Sequence, residues 1–378
     1  MTTRSAGDKR LAGAKRVVLK IGSSLIVDEA SGVVRREWLD ALADDIARLR
    51  EAGAEIVVVS SGAIRLGRAR LGLARGALRL EQKQAAAAVG QIGLAQAWQQ
   101  TLARHDIVAA QLLLTLEDSE ARERYLNARH TTTVLLEQRA VPVINENDTV
   151  ATAEIHFGDN DRLAARVAEM TSADTLVLFS DIDGLYSADP RRDPKAAFIA
   201  EVRRITPEIE AMAGVAQNEL SNGGMVTKLM AARIAMAAGC RMAIVDGGRL
   251  NPLAALLDGS ARCTWFLPAA TPQTARKRWI GGTLKPAGTL IVDDGAARAL
   301  NAGKSLLPAG VVSVDGDFAA GAPVLVRDRA GRTLARGLVA YAAEDARRIA
   351  GRKSAEIEKA LGWRGADELI HRDDLAME

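Results

Sequence analysis

The chain is short of the residues on which several classes of protein depend. Only two of its 378 residues are cysteine, Cys240 and Cys263, far apart and in no Cys-x-x-Cys or metal-ligand spacing. That argues against a disulfide scaffold or a thiolate zinc site and fits a reducing, cytoplasmic setting. Aromatic residues make up 3%, too few for an extended base-stacking surface. The four histidines, His105, His130, His156 and His371, are scattered without ligand spacing and read as structural or surface residues. No apolar run approaches the roughly 18–20 residues of a membrane span. Residues 1–16 are polar and basic with no apolar stretch, against a secretory signal. No Gly-x-Gly occurs, so the dinucleotide fingerprint is missing. Gly303-Lys304-Ser305 is no Walker A loop, because Arg298 stands where the upstream glycine is needed.

What is present suits a globular enzyme of about two domains. Hydrophobic residues are 48% and charged residues 26%, with a formal net charge of +3. From Arg276 onward there are 17 Lys+Arg against 14 Asp+Glu. The whole excess therefore sits in the C-terminal part, yet it is too small for a polybasic nucleic-acid tail.

Short apolar runs alternate with helical patterns as far as about Phe266. Strands are expected at Arg16–Ile21, Glu55–Val59, Ile107–Leu114, Ala140–Ile144, Thr175–Phe179 and Arg241–Val245. Helices are expected over Glu37–Glu51, Glu81–Arg104, Ser119–Gln138, Asn160–Met170 and Met225–Ala238. Continuous rather than alternating hydrophobicity predicts an α/β domain with a mainly parallel sheet sandwiched by helices. Residues 267–272 read as a linker. Beyond it, short strands at Thr289–Val292, Val311–Val314, Pro323–Val326 and Leu338–Tyr341, separated by Gly and Asp turns, predict a small β-rich domain. The expected domains are 1–266 and 279–366.

Polar motifs recur where the strands end. Lys20, inside Val17-Val18-Leu19-Lys20-Ile21-Gly22-Ser23-Ser24, is costly in a two-sided strand unless it emerges at the strand's C-terminal end, where open α/β sheets bind ligands. A Gly22-Ser23-Ser24 turn after it would offer backbone N–H groups and hydroxyls to an anion. On an edge strand Lys20 would instead snorkel to solvent. Ser60-Ser61-Gly62-Ala63-Ile64 offers small residues at a helix start, suited to an anion or to ordinary capping. Asn145-Glu146-Asn147-Asp148 provides carboxylates and amides for a substrate ammonium, or an Asx-rich turn. Gly158-Asp159-Asn160-Asp161 exceeds what one helix cap requires. Ser180-Asp181-Ile182-Asp183-Gly184 begins like a calcium loop but fails at Leu185 and Tyr186; that apolar-aromatic pair is instead placed for a nucleobase. Asn222-Gly223-Gly224-Met225-Val226-Thr227-Lys228 combines freed backbone amides, a helix N-terminus and an ammonium into a polyphosphate cradle.

Taken in order, these motifs resemble the amino acid kinase family over nearly the whole chain, and within it the kinases that act on the γ-carboxylate of glutamate. Tyr125-Leu126-Asn127-Ala128-Arg129 and Asp181–Pro190 match as well. Arg278-Trp279-Ile280, Ser305-Leu306-Leu307-Pro308 and Arg347-Arg348-Ile349-Ala350-Gly351 resemble a C-terminal PUA domain. The resemblance implies ATP-dependent formation of L-glutamyl 5-phosphate, the first step of proline biosynthesis, with Mg²⁺ and no dedicated protein metal site. It implies Lys20 and Lys228 on the transferring phosphoryl group, held by Asp161. Ser61, Asp148 and Asn160 would bind glutamate with Asn145 as neighbour. Lys20, Ser180, Asp181 and Asn222, Gly223, Gly224, Met225, Val226, Thr227, Lys228 would contact ATP. It further implies a homo-oligomer (dimer or tetramer), hand-over of the labile product to a glutamyl phosphate reductase, and feedback inhibition by proline. One departure is Ser221-Asn222-Gly223-Gly224-Met225 where the family reads Gly-Thr-Gly-Gly-Met; the glycines and Lys228 persist, and the threonine hydroxyl's contact would have to come from the Asn222 side chain. Asp148 favours a free α-amino group over an acetamide, hence glutamate over the N-acetylglutamate, aspartate and uridylate kinases of the same family. An RNA-binding protein acting through the PUA-like part is the alternative from another class, and the small charge excess argues against it.

Overall fold

Strands buried on both faces cannot be left at the surface, so they gather into a single covered layer. The computed structural model describes residues 9–74, 76–150, 159–213, 224–282 and 285–378. The first unit, residues 1–120 and 127–272, is built on ten strands: β1 (Arg16–Ile21), β2 (Glu55–Ser60), β3 (Ala109–Leu114), β4 (Val141–Glu146), β5 (Thr175–Ser180), β6 (Leu185–Tyr186), β7 (Phe198–Ile199), β8 (Glu201–Val202), β9 (Arg241–Asp246) and β10 (Cys263–Phe266). Eight form one sheet in the order β3-β4-β2-β1-β5-β9-β10-β8, and β6 and β7 form a separate hairpin. The pairs from β3 through to β9 are parallel, and β10 turns antiparallel to β9. The sandwiched, mainly parallel sheet expected from the apolar runs is the one observed.

Side chains alternate across a strand, which decides where Lys20 points. Val17, Leu19 and Ile21 face a core shared with Trp38, Leu39, Leu42 and Ile46 of helix Arg36–Glu51 and with Leu94 and Trp98 of helix Leu80–Ala103. Lys20 therefore lies on the other face, where helix Asp159–Met170 packs across β1 and alongside helix Met225–Ala237.

Helices Ala63–Arg70 and Leu80–Ala103 touch backbone to backbone. A Cβ on Gly67 would lie 1.7 Å from Ala86 O, and one on Gly90 would lie 1.8 Å from Ala63 O. Only glycine permits this approach, and it fixes the start of the first helix just after β2. Gly62, its N-cap, has φ 122°, a conformation that glycine adopts at least cost.

The second unit, residues 121–126 and 273–378, holds β11 (Gly288–Val292), β12 (Val311–Gly316), β13 (Pro323–Asp328), β14 (Thr333–Leu338) and β15 (Leu375–Met377). Their order is β12-β11-β13-β14-β15, antiparallel except for β11 with β13. Its core includes Leu290, Val292, Val324, Val326, Ile349, Leu369 and Ile370. Arg276 of helix Pro272–Gly282 forms a buried ion pair with Asp374, its side chain only 8% exposed.

Three expectations need correction. The strand expected at Leu338–Tyr341 ends at Leu338 and begins at Thr333; Tyr341 instead turns inward, 2% exposed, donating to Ala366 O. The single helix expected over Ser119–Gln138 is two, Leu116–Glu120 and Arg122–Glu137, and the chain leaves the first unit at Ala121. The turn expected at Gly22-Ser23-Ser24 is a one-turn helix, Ser23–Ile26, with Gly22 as N-cap.

Replacing Gly90 by Ala forces two helices apart. Although Ala favours a helix, overpacking should dominate and cost about 1–3 kcal/mol. Gly90→Ala should lower the thermal unfolding midpoint by several degrees in calorimetry; an unaltered midpoint would mean the crossing yields freely.

Candidate active site

Parallel strands bring all their C-terminal ends to one edge. Ile21 pairs in register with Ser60 and Phe179, Val59 with Ile144, and Ser180 with Asp246. The motifs after β1, β2, β4 and β5 thus share one rim of the sheet, where ligands of open α/β sheets bind.

Across that rim Asp161 is 0% exposed, in the first turn of helix Asp159–Met170. Lys20 Nζ approaches Asp161 Oδ1 at 2.5 Å, and Lys228 Nζ approaches Oδ2 at 3.3 Å. Thr227 Oγ1 donates to the same Oδ2 at 3.0 Å and lies 2.9 Å from Gly224 O. Two cations from strand and helix, 208 positions apart in the chain by their numbers (20 and 228), thus meet at one carboxylate. Burial alone pushes the Asp161 carboxyl up; the charges of Lys20 and Lys228 outweigh it and hold the group below its ordinary value. The carboxylate therefore stays ionised at neutral pH.

Beside this charged cluster runs a neutral one. Asn160 Nδ2 donates to Ser61 Oγ at 2.6 Å and to Asn145 Oδ1 at 3.1 Å, and Asn145 Nδ2 donates to Gln91 Oε1 at 2.8 Å. Asn145 is 3% exposed at the end of β4. Three of the residues expected to hold substrate, Ser61, Asn145 and Asn160, are thereby in direct contact. Asp148 is buried in the turn that follows β4.

The remaining residues make contacts of their own. Ser180, buried at the end of β5, donates to Asp181 Oδ1 at 3.2 Å. Asp181 is 71% exposed and paired with Arg191 at 3.0 Å; burial of its carboxyl raises the pKa, but the bond from Arg191 prevails and lowers it. The expectation that Leu185 and Tyr186 serve a nucleobase is overturned for Leu185, which is 0% exposed with its N–H donating to Thr264 Oγ1. Tyr186 packs edge-on against Phe198, and its hydroxyl donates to Asp183. Gly224 is the N-cap of helix Met225–Ala237, and Met225, Val226, Thr227 and Lys228 form its first turn. Asn222, Gly223 and Gly158 lie outside the described residues, as does the side chain of Asp159.

Gln91 escaped the sequence reading. Its signal was a polar residue in the stripe Ala87, Gln91, Leu94, Trp98, whose other members are buried in the core. The Thr227 bond to Asp161 could not be read from spacing, because the two residues come from different helices.

Among the described residues no group of three His, Cys, Asp or Glu is placed to hold a metal ion, and no helix is long and apolar enough to cross a membrane.

The amino acid kinase family model matches residues 15–246 and the PUA domain model residues 288–361. A glutamate 5-kinase of Paramagnetospirillum magneticum is 65% identical over 97% of this chain and 99% of its own. One of Agrobacterium fabrum is 60% identical over 98% of this chain and 94% of its own. Among solved structures, the carbamate kinase of Giardia lamblia aligns with 68% of this chain and 99% of its own at 17% identity and a TM-score of 0.48. On the family match and the near-full-length identity, the chain belongs to the amino acid kinase family, in its glutamate 5-kinase group, and carries a PUA domain.

Proposed function

We propose that this chain transfers the γ-phosphoryl group of ATP to the γ-carboxylate of L-glutamate, yielding L-glutamyl 5-phosphate and ADP, as the first step of proline biosynthesis. The observation that carries the reading is the convergence of Lys20 and Lys228 on Asp161, directly beside the Ser61–Asn160–Asn145 network. One cluster suits a phosphoryl group in transit, the other a small polar acceptor. Catalysis is assigned to residues 1–266 and the PUA-like domain to 279–366.

The acceptor is ionised at neutral pH, since a carboxyl of this kind has a pKa of about 4.3. It needs no general base. Its oxygen attacks the γ-phosphorus, the bond to the bridging oxygen breaks, and the electron pair leaves with ADP. The barrier is lowered by alignment and by charge neutralisation of a loose transition state. In this reading Lys20 and Lys228 face the equatorial oxygens, and Asp161 fixes both ammonium groups before substrate arrives. Ser61, Asn160, Asn145 and Asp148 bind glutamate, with Asp148 opposite its ammonium. Ser180, Asp181 and residues 222–228 bind the nucleotide.

Mg²⁺ is handled differently. Asp161 is occupied by two lysines, and the described residues offer no carboxylate cage. We assign the ion to the nucleotide, entering with ATP on its phosphates, where it neutralises their charge. A cytoplasmic homo-oligomer that hands its labile acyl phosphate to a glutamyl phosphate reductase completes the proposal.

Purified protein should release ADP from MgATP only when L-glutamate is added, and hydroxylamine should trap the product as a hydroxamate. ADP release indifferent to glutamate would sink the reading. Lys20→Ala and Lys228→Ala should each lower kcat about 10²-fold or more while KM for glutamate moves only a few-fold. A variant turning over at the normal rate would remove that lysine from the transition state.

For Asp148→Ala the expected loss is in KM for glutamate, with kcat largely kept; steady-state kinetics at saturating ATP would decide it, and an unchanged KM would place Asp148 outside the substrate site. Asp161 yields a pH prediction. Its folded pKa is depressed, so its pairing stabilises the protein above the ordinary value of 3.8 and is lost as pH falls through the lowered one. Asp161→Asn should therefore be clearly less stable than the parent at pH 7. The difference should shrink in urea titrations as pH falls below 4, and a gap independent of pH would contradict the pairing.

A further inference from the structure

The amide chain beside the lysines has a direction. Asn145 spends an Nδ2–H on Gln91 Oε1, which leaves its Oδ1 facing Asn160. Asn160 answers with Nδ2, bonding Asn145 Oδ1 and Ser61 Oγ. Its Oδ1 is buried and has no hydrogen-bond partner among the described residues. A buried acceptor left bare is costly, so this atom calls for a donor that the described protein does not supply. Each amide has one acceptor end and one donor end, and turning one turns its neighbour. Were residue 91 to donate rather than accept, Asn145 would offer its N–H to Asn160. Asn160 would then accept through Oδ1 and present N–H outward. The polarity offered to a ligand is thus set at residue 91, whose backbone is pinned by the close approach of neighbouring Gly90 to Ala63 O.

We propose that Gln91 is a positioning residue: through Asn145 it fixes the Asn160 amide with its oxygen toward the substrate, creating an acceptor for the α-ammonium of glutamate. This rests on the glutamate kinase reading. Gln91 itself touches no substrate; its side chain reaches Asn145, and it acts by orientation.

Three substitutions separate direction from bulk and charge. Gln91→Glu keeps an acceptor at the end of the side chain, Gln91→Leu removes both polarities, and Gln91→Lys supplies only a donor. KM for L-glutamate should stay within about threefold in Gln91→Glu, rise roughly tenfold in Gln91→Leu and rise further in Gln91→Lys. In all three kcat should stay within about threefold. Simple Coulomb attraction predicts the opposite order for the charged pair, because glutamate is a net anion that a lysine would draw and a carboxylate repel. Glutarate, which lacks the ammonium, should inhibit competitively with a Ki that does not follow this order. Retained kcat and an unchanged far-UV dichroism spectrum would exclude misfolding.

Glutamate-dependent ADP release by the unmodified protein is run alongside. If it is absent, the glutamate reading and the Gln91 assignment fall together. If it is present while the Glu and Lys variants share one KM, or the Lys variant binds better, the Gln91 assignment alone falls. A glutarate Ki that rises in step with KM would likewise overturn it, since the ammonium would then not be the group sensed.

Discussion

Everything at the site depends on keeping two ammonium groups charged where water is scarce. Lys20 and Lys228 are 8% and 6% exposed, and an isolated buried charge is costly. Asp161 offsets that cost, and it can do so only because the sheet and two helices meet within a few ångströms of its oxygens. Strand alternation sends Lys20 to the face covered by helix Asp159–Met170, and the N-terminal turn of that helix delivers Asp161. Helix Met225–Ala237 lies alongside and delivers Lys228 from its first turn. Remove the helix that delivers Asp161 and both ammonium groups lose their shared carboxylate. The fold of the first unit and its electrostatics are therefore a single problem, solved at the ends of the strands.

Much of this is legible in the sequence alone. A lysine interrupting Val17-Val18-Leu19 is an anomaly whichever fold contains it, and the six main strands begin within two residues of where unbroken hydrophobicity places them. Legibility faded where the deciding contact joins distant elements. Nothing near Leu185 says that its N–H will meet Thr264, 79 positions away, and bury the residue. The Tyr341 region is apolar enough for a strand, but its hydroxyl reaches Ala366 and the side chain fills the core instead. Asp181 opens a run that begins like a calcium loop, and the Arg191 that pairs with its carboxylate in the fold is not announced by that run. Short-range pattern predicts burial and element type; it does not report which polar groups will satisfy one another.

The two halves of the site obey different physics. Charge neutralisation falls off slowly with distance, so on the proposed function the lysines would tolerate small displacements of a phosphoryl group. Hydrogen bonds weaken steeply once misaligned, and an amide turned over offers the wrong polarity altogether. On the proposed function, discrimination among small acids belongs with the neutral network rather than with the cations, which would welcome any anion. That division calls for firm support under the amides. The glycine-mediated crossing of helices Ala63–Arg70 and Leu80–Ala103 fixes both the Ser61 end and the Gln91 end of the chain of bonds, and the buried end of β4 fixes Asn145 between them. A site with loosely held amides would bind phosphate well and choose its acceptor poorly.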